Sequence, residues 1–283
     1  MNKDIFTNKT NAISKATGVP FNTVMVYFFM ECILKKIVKT GMADKLIFKG
    51  GFLLSNVLGI SNRTTVDIDM LVSGASLTED LITNIVLQIC ESEEMAEVSC
   101  ELTGLEKIRI EDQYGGYRAK ILCRLENIRQ IVPLDFATGD PVTPSPILFS
   151  YKCLFSNESI TVFGYNPETI LAEKLETIFS RGIANSRSKD YFDIYILWVL
   201  KRESIDKDTL DKAMKNTFHY RGSEWNPILI EIVLKEVMKD PNMNRRWGAW
   251  QKRNIFAKGI AFNQTVNAGI EIINTLNIGD YQD

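Results

Sequence analysis

The middle of the chain alternates apolar and polar residues with a period of two, and helical patterns flank it on both sides. Such alternation over short runs is typical of half-buried β-strands. Six runs have it: Leu46–Lys49, Thr65–Val72, Val98–Thr103, Lys107–Glu111, Tyr117–Leu125 and Gln130–Phe136. Gly115-Gly116 is a predicted hairpin turn, and a helical stretch at Thr78–Ser92 interrupts the strands. We therefore predict an α/β (α+β) fold with a mixed sheet.

Helical patterns occupy both ends of the chain. Near the N-terminus we expect Asn22 to cap a helix that ends at Gly41. Residues 13–24 fit a helical hairpin that packs on the core, and they also loosely resemble the turn of a DNA-binding helix-turn-helix. Asn166-Pro167 and Asn226-Pro227 each place a proline directly after a capping residue. We predict an α/β lobe with N-terminal helices over about 1–165 and a helical lobe over about 166–283.

Composition excludes several classes of protein. The net charge of −2 gives the chain no overall attraction to nucleic acid. Five widely spaced cysteines without a Cys-x-x-Cys pair argue against structural zinc and for a reduced, cytoplasmic protein. The longest apolar stretch of the N-terminal helix, Val24–Met30, is far shorter than the ~20 residues of a membrane span, so we expect no membrane association.

The chain contains a single histidine, His219. Ser-His-Asp and Cys-His relays, as well as histidine-rich metal sites, would all depend on that one residue. Any chemistry is therefore expected to rest on carboxylates, lysine and a hard cation.

Two aspartates, Asp67 and Asp69, lie two residues apart in a predicted strand and share one face of it. Carboxylates this close repel each other unless a positive group lies between them, and oxygen ligands of this kind suit Mg²⁺. A solvated strand face explains an isolated Asp-x-Asp equally well. The residues that precede and follow this pair favour the metal-binding interpretation.

Two glycines, Gly50 and Gly51, stand between a predicted strand and a short helix that ends at Gly59. Glycines let the backbone approach a phosphate, and a helix N-terminus offers free N–H groups and partial positive charge. Arg63, just before the Asp-x-Asp strand, is a further candidate for phosphate binding. A bare Gly-Gly also fits an ordinary tight turn.

A third carboxylate, Asp135, lies opposite the apolar face of the last predicted strand. If that strand neighbours the Asp67/Asp69 strand, three carboxylates converge above the sheet. Such a cluster can hold two metal ions across an in-line phosphoryl displacement.

Four segments carry a family resemblance: FKGGFLLSNVLGISNRTTVDIDM, PLDFATGD, YNPETILAEKLETIFSRG and RSKDYFDIYIL. In this order they resemble the nucleotidyltransferase superfamily with the DNA polymerase β-like fold. More closely, they resemble the AbiEii/AbiGii toxin family of bacterial type IV toxin–antitoxin and abortive-infection (phage defence) systems. Gly51 departs from the wider superfamily, which usually has serine there, so one hydroxyl toward the triphosphate is missing.

The resemblance implies a Mg²⁺-dependent enzyme that transfers a nucleoside monophosphate from an NTP to an acceptor, releasing pyrophosphate. It suggests tRNA as acceptor, toxicity through blocked translation, and a separately encoded antitoxin that need not contact this chain. Asp67, Asp69 and Asp135 would be metal ligands, and Asp135 would also help to deprotonate the acceptor. Gly50 and Gly51 would hold the triphosphate.

The resemblance also assigns roles in the helical lobe. Lys174 lies at the edge of an apolar helical stripe, where it needs an anion or a route to solvent. The resemblance makes that anion the triphosphate, and it makes Asp190 a carboxylate that orients Lys174 or the substrate. Asp193, on an otherwise apolar helix, is expected to be buried beside an arginine such as Arg187 or Arg181.

Basic and aromatic residues alternate near the C-terminus. Arginines and lysines without acids among them are interleaved with Trp247, Trp250 and Phe256: Arg245, Arg246, Lys252, Arg253 and Lys258. This combination suits RNA, but the tryptophans equally fit the core face of a helix with a solvated basic side.

Two other functions stay open at this point. The same fold could serve a non-catalytic nucleotide sensor or DNA-associated regulator, although the complete set of motifs argues against a decayed enzyme. The acceptor could also be a hydroxyl of a small molecule or a protein.

Overall fold

A computed structural model describes residues 1–108 and 115–276, and the chain forms two compact units. Unit 1 comprises Met1–Asp140 and Pro146–Tyr165, and unit 2 comprises Pro141–Ser145 and Asn166–Asp283. The prolines Pro141 and Pro144 thus lie in a short segment that belongs to the second unit.

Unit 1 is a sheet with helices. Its helices are α1 (Lys3–Thr17), α2 (Phe21–Lys39), α3 (Gly50–Leu58) and α4 (Glu79–Glu91). Its strands are β1 (Leu46–Lys49), β2 (Ile68–Val72), β3 (Ser99–Ile108), β4 (Gly116–Leu125), β5 (Ile128–Ala137), β6 (Ile147–Lys152) and β7 (Ser159–Gly164). The strand order is β3-β4-β5-β2-β1-β7-β6. The pairs β2–β5 and β1–β7 are parallel and the others antiparallel, so the predicted mixed α/β sheet is confirmed.

The sheet differs from the predicted strands in three places. Two predicted strands are one long strand, β3, and the far end of the second, residues 109–111, lies outside the described residues. Of the predicted Gly115-Gly116 turn, Gly116 is the first residue of β4. The strands β6 and β7 were not predicted. The strand β2 begins at Ile68, so Asp67 lies in a bend before the strand rather than within it.

The N-terminal helices pack into the apolar core. Phe6 of α1 contacts the rings of Phe28 and Phe29 of α2 at centroid distances of 4.7 and 6.1 Å. Pro20, not Asn22, is the residue before α2, so the predicted cap was wrong; Asn22 lies inside the first turn. The burial of α2 on nearly all sides favours the helical hairpin over a DNA-reading surface.

No single helix in the described residues is long and apolar enough to cross a membrane. The helices α1 and α2 pass that test only when they are joined, across a bend of 118°.

Unit 2 is helical within the described residues. Its helices are α5 (Pro167–Arg181), α6 (Ser188–Lys201), α7 (Lys207–Tyr220), α8 (Pro227–Lys239), α9 (Pro241–Gln251) and α10 (Phe262–Thr275). The two predicted asparagine caps are confirmed: Asn166 accepts a hydrogen bond from the Thr169 N–H at 2.8 Å, and Asn226 accepts one from the Leu229 N–H at 3.1 Å. His219 lies exposed on α7.

Candidate active site

Four charged residues form a row across neighbouring strands of unit 1. Arg118 of β4 is paired in register with Asp135 of β5, Asp135 with Asp69 of β2, and Asp69 with Lys49 of β1. Residues directly opposite each other on paired strands project from the same face of the sheet. The row therefore places two adjacent carboxylates between two cations.

The predicted convergence of three carboxylates is observed. Asp67, in the bend before β2, joins Asp69 and Asp135, and one carboxylate oxygen from each lies within 4.8 Å of the others. Asp135 is buried, and the other two are half-buried. A set of carboxylate oxygens at this spacing suits a hard divalent cation such as Mg²⁺, which would also relieve the repulsion between them. The residues fit a metal site.

Gly50 brings the backbone against this cluster. Its φ of +65° is one that side chains rarely adopt, and a Cβ at this position would lie only 2.7 Å from Cγ of Asp69. Gly50 is also the first residue of α3, and the preceding residue makes no side-chain cap. The N-terminus of α3 therefore opens beside Asp69, with its first N–H groups not capped by that side chain.

Position 51 favours glycine because a Cβ there would clash with neighbouring side chains, and not because of its backbone conformation. A Cβ there would lie 2.8 Å from Oγ1 of Thr65 and 3.1 Å from Nη2 of Arg63. Arg63 is buried, and its guanidinium also donates to the carbonyl of Thr64. The predicted phosphate-binding residues Gly51 and Arg63 are thus neighbours at the start of α3.

Arg118 was not predicted. Its Nε and Nη2 donate to the two carboxylate oxygens of Asp135, each at 2.7 Å. The hydrogen bonds with Asp135 raise the pKa of Arg118 against the effect of burial, and the charges of Asp67 and Asp69 add to the increase. Cross-strand register, which brings Arg118 to Asp135, cannot be read from one sequence.

Lys49 and Asp140 were also not assigned a role from sequence. The ammonium of Lys49 lies 2.8 Å from a carboxylate oxygen of Asp140 and donates to the Tyr165 hydroxyl at 3.3 Å. Both charged side chains are nearly buried. Their positions in the sequence could have indicated a role, because Lys49 directly precedes Gly50 and Asp140 is the last residue of the PLDFATGD segment.

Lys174 and Asp190 meet in unit 2. Lys174 donates to Asp193 at 2.7 Å and to Asp190 at 3.1 Å, and both aspartates are buried. Arg187 adds a second cation: its Nε lies 2.7 Å from Oδ2 of Asp190, and its Nη2 donates to Oδ1 of the same carboxylate at 3.3 Å. Asp193 is buried as predicted, and it forms an ion pair with Lys174.

The pKa shifts agree with this cluster. Burial acts to lower the pKa of Lys174, but the charges of Asp193 and Asp190 outweigh it and the pKa is raised. Burial likewise acts to raise the pKa of Asp190, but the charges of Lys174 and Arg187 outweigh it and the pKa is lowered. Lys174 and Asp190 are therefore both charged at neutral pH.

The aromatic residues of the basic stretch pack against the interior of unit 2: Trp247 is buried, and Trp250 and Phe256 are half-buried. The Trp247 ring lies 5.1 Å from that of Trp250, and its Nε1 donates to the Ile260 carbonyl at 3.0 Å. This favours the core-face interpretation over base stacking. Arg246 donates to the carbonyls of Ile183 and Asn185, and Arg245 donates to Oδ1 of Asn242. These two arginines are exposed, as are two further basic residues of the stretch, Lys252 and Arg253.

Comparisons with known proteins identify a family and a fold for this chain. The model of the nucleotidyltransferase AbiEii toxin family of type IV toxin–antitoxin systems matches residues 32–268. A provisionally assigned nucleotidyltransferase from H. pylori is 15% identical with a TM-score of 0.55, covering 91% of this chain and 96% of that chain. JHP933 from Helicobacter pylori is 16% identical with a TM-score of 0.51, covering 88% and 91%. A comparison with curated proteins finds no significant match. The chain belongs to the AbiEii nucleotidyltransferase toxin family of type IV toxin–antitoxin systems.

Proposed function

We propose that this protein is a Mg²⁺-dependent nucleotidyltransferase that moves a nucleoside monophosphate from an NTP to a hydroxyl of tRNA. The observation that carries the proposal is the position of three carboxylates, Asp67, Asp69 and Asp135, beside the glycine-opened N-terminus of α3. Metal-ligating oxygens and phosphate-binding N–H groups are the two features that such a transfer requires.

The reaction would form one bond and break another. The acceptor hydroxyl releases its proton to solvent and its oxygen forms a bond with the α-phosphorus. The bond from the α-phosphorus to the oxygen that bridges to the β-phosphate breaks, and pyrophosphate leaves with that electron pair. Divalent cations held by the carboxylates would neutralise charge on the phosphates and favour the in-line displacement. In this chain Gly50, Gly51 and Arg63 would bind the phosphates, while Asp67 and Asp69 would be the main metal ligands.

Asp135 would be a metal ligand whose charge Arg118 balances. A carboxylate offers about four lone-pair sites, so the two hydrogen bonds from Arg118 leave room for a cation. The same hydrogen bonds count against Asp135 as proton acceptor, since a proton there would weaken both of them. The roles of Lys174 and Asp190 in triphosphate binding stay predictions from the sequence.

The acceptor is proposed to be tRNA, and its modification would block translation and act in abortive phage infection. The toxin family and the exposed basic residues Arg245, Lys252 and Arg253 support a nucleic-acid acceptor. Membership of a type IV system implies a separate antitoxin. We expect this antitoxin to act without binding the chain, and we expect both proteins in the cytoplasm.

The experiment incubates the full chain with Mg²⁺, total bacterial tRNA and each α-³²P-labelled NTP in turn. The expected result is a labelled tRNA band with at least one nucleotide, reduced on the order of 10²–10³ in rate in Asp69→Asn. Label on a small molecule or on protein would move the acceptor to those classes. Absence of any labelled product, together with NTP-dependent thermal stabilisation, would contradict the enzyme and favour a nucleotide sensor.

A further inference from the structure

Thr65 links three parts of the candidate active site. Its hydroxyl donates a hydrogen bond to Oδ1 of Asp67, and its backbone N–H donates to the hydroxyl of Tyr27 at 3.1 Å. Tyr27 is fully buried in the core of unit 1. Thr65 is therefore held by the core through its backbone while its side chain holds a carboxylate of the cluster.

The same hydroxyl faces the start of α3. Oγ1 and Cβ of Thr65 lie 2.8 and 3.0 Å from the position that a Cβ would take at Gly51. Distances below about 3.0 Å are not seen for real Cβ atoms, so a side chain at position 51 must displace Thr65. A displacement of Thr65 away from position 51 would disturb its hydrogen bond with Asp67. A side chain at position 51 would therefore disturb Thr65 and, through Thr65, the position of Asp67.

We propose that Thr65 is a positioning residue that orients Asp67 for a divalent cation, and that Gly51 is glycine because Thr65 fills the space beside it. This inference rests on the proposed function, since it assumes a cation at the carboxylate cluster. Asp67 precedes β2 and lies in a bend, so strand pairing does not fix its side chain. A hydrogen bond from a neighbouring hydroxyl supplies the missing constraint. Partners of this kind are typically worth 10- to 100-fold in metal affinity.

The first test measures Mn²⁺ binding to the full chain by electron paramagnetic resonance, without nucleotide or acceptor. Thr65→Val keeps the shape of the side chain but removes the hydroxyl, and it should weaken Mn²⁺ binding by about 10-fold. Thr65→Ser keeps the hydroxyl and should bind within about threefold of the wild type, a rescue that a purely structural role would not give. Circular dichroism verifies that both variants are folded.

Asp69→Asn separates failure of this inference from failure of the proposed function. Wild-type affinity in Thr65→Val, with binding lost in Asp69→Asn, would overturn the role of Thr65 alone. Equal binding by the wild type and Asp69→Asn would overturn the metal site and the inference with it.

A second test examines the contact between positions 51 and 65 through stability. Gly51→Ala should lower the urea midpoint of the wild type, and it should lower that midpoint less in a Thr65→Ala background, where the nearest atom is gone. Equal shifts in the two backgrounds would overturn the steric coupling. This readout does not depend on metal or activity.

Discussion

Gly50 and Asp69 lie so close together that the glycine-opened start of α3 and the carboxylate cluster cannot be altered independently. A Cβ at residue 50 would lie 2.7 Å from Cγ and 2.9 Å from Cβ of Asp69. The start of α3, which is proposed to bind phosphate, thus lies against Asp69, which is proposed to bind metal.

Replacing Gly50 by alanine should damage both stability and metal binding. The positive φ alone costs on the order of 1–2 kcal/mol for an alanine. The added methyl group would also push Asp69 away from Asp67 and Asp135. Urea unfolding and Mn²⁺ titration measure the two effects separately.

Gly18→Ala is the matched control for that substitution. Gly18 also has a positive φ, +72°, but no atom lies within 4 Å of its missing Cβ. It should lose similar stability and keep its Mn²⁺ affinity. Equal Mn²⁺ affinity in Gly50→Ala and Gly18→Ala would show that Gly50 does not position Asp69.

Replacing Arg118 should make the stability of the protein depend more strongly on bound metal. In Arg118→Met the buried Asp135 loses two charge-assisted hydrogen bonds, which lowers the metal-free stability by about 1–3 kcal/mol. A divalent cation would replace the missing positive charge. The rise in Tm on adding Mg²⁺ should therefore be larger in Arg118→Met than in the wild type.

Arg124→Met provides the comparison on the same strand. Arg124 has similar exposure and pairs at 2.7 Å with Glu101, which is itself exposed. This surface pair should contribute less than about 1 kcal/mol and should not change the response to Mg²⁺. A Mg²⁺ response in Arg118→Met no larger than in Arg124→Met would contradict the charge-balancing role of Arg118.

Lys174→Met should destabilise unit 2 strongly. The substitution leaves the buried carboxylates of Asp190 and Asp193 without their shared cation, and breaking such a pair costs about 3–5 kcal/mol. All four tryptophans of the chain lie in unit 2, so tryptophan fluorescence during urea unfolding reports on this unit. Lys215→Met, which removes an exposed pair with Asp211, should change the midpoint little. Similar midpoints for the two variants would refute the buried network.

The stability of unit 2 should fall in acid for a defined reason. The pKa of Asp190 is lower in the folded chain than its unfolded value of ~3.9. Its stabilising contribution is therefore complete above about pH 4 and is lost as the pH falls through the folded pKa. Tryptophan-monitored urea midpoints between pH 7 and pH 2 should fall less steeply below pH 4 in Asp190→Asn than in the wild type. Parallel acid profiles would exclude this contribution.

Segments that depend on short-range residue patterns were predicted correctly from the sequence. Strand β1, helix α5 and its Asn166 cap follow from short-range pattern and capping chemistry. Asp135 was predicted to face away from Val132 and Leu134, and the structure confirms both its face and its neighbour Asp69. These features depend only on alternation and on one assumed strand pairing.

The residues that sequence reasoning missed depend on distant segments. Arg118 reaches Asp135 through an antiparallel pairing, and Lys49 reaches Asp140 across many intervening residues. Neither contact leaves a periodic trace in the sequence. The bend at Asp67 was missed because the alternation continues through it, whereas the backbone before Ile68 does not pair as a strand.

Parallel reactions with α-³²P and γ-³²P forms of the same NTP test whether the carboxylate cluster catalyses transfer of a nucleoside monophosphate. With Mg²⁺ and tRNA, we predict that the α-label enters RNA while the γ-label appears in pyrophosphate. Asp69→Asn should remove both signals and remain folded. Entry of the γ-label into the acceptor, or undiminished transfer by Asp69→Asn, would contradict the account.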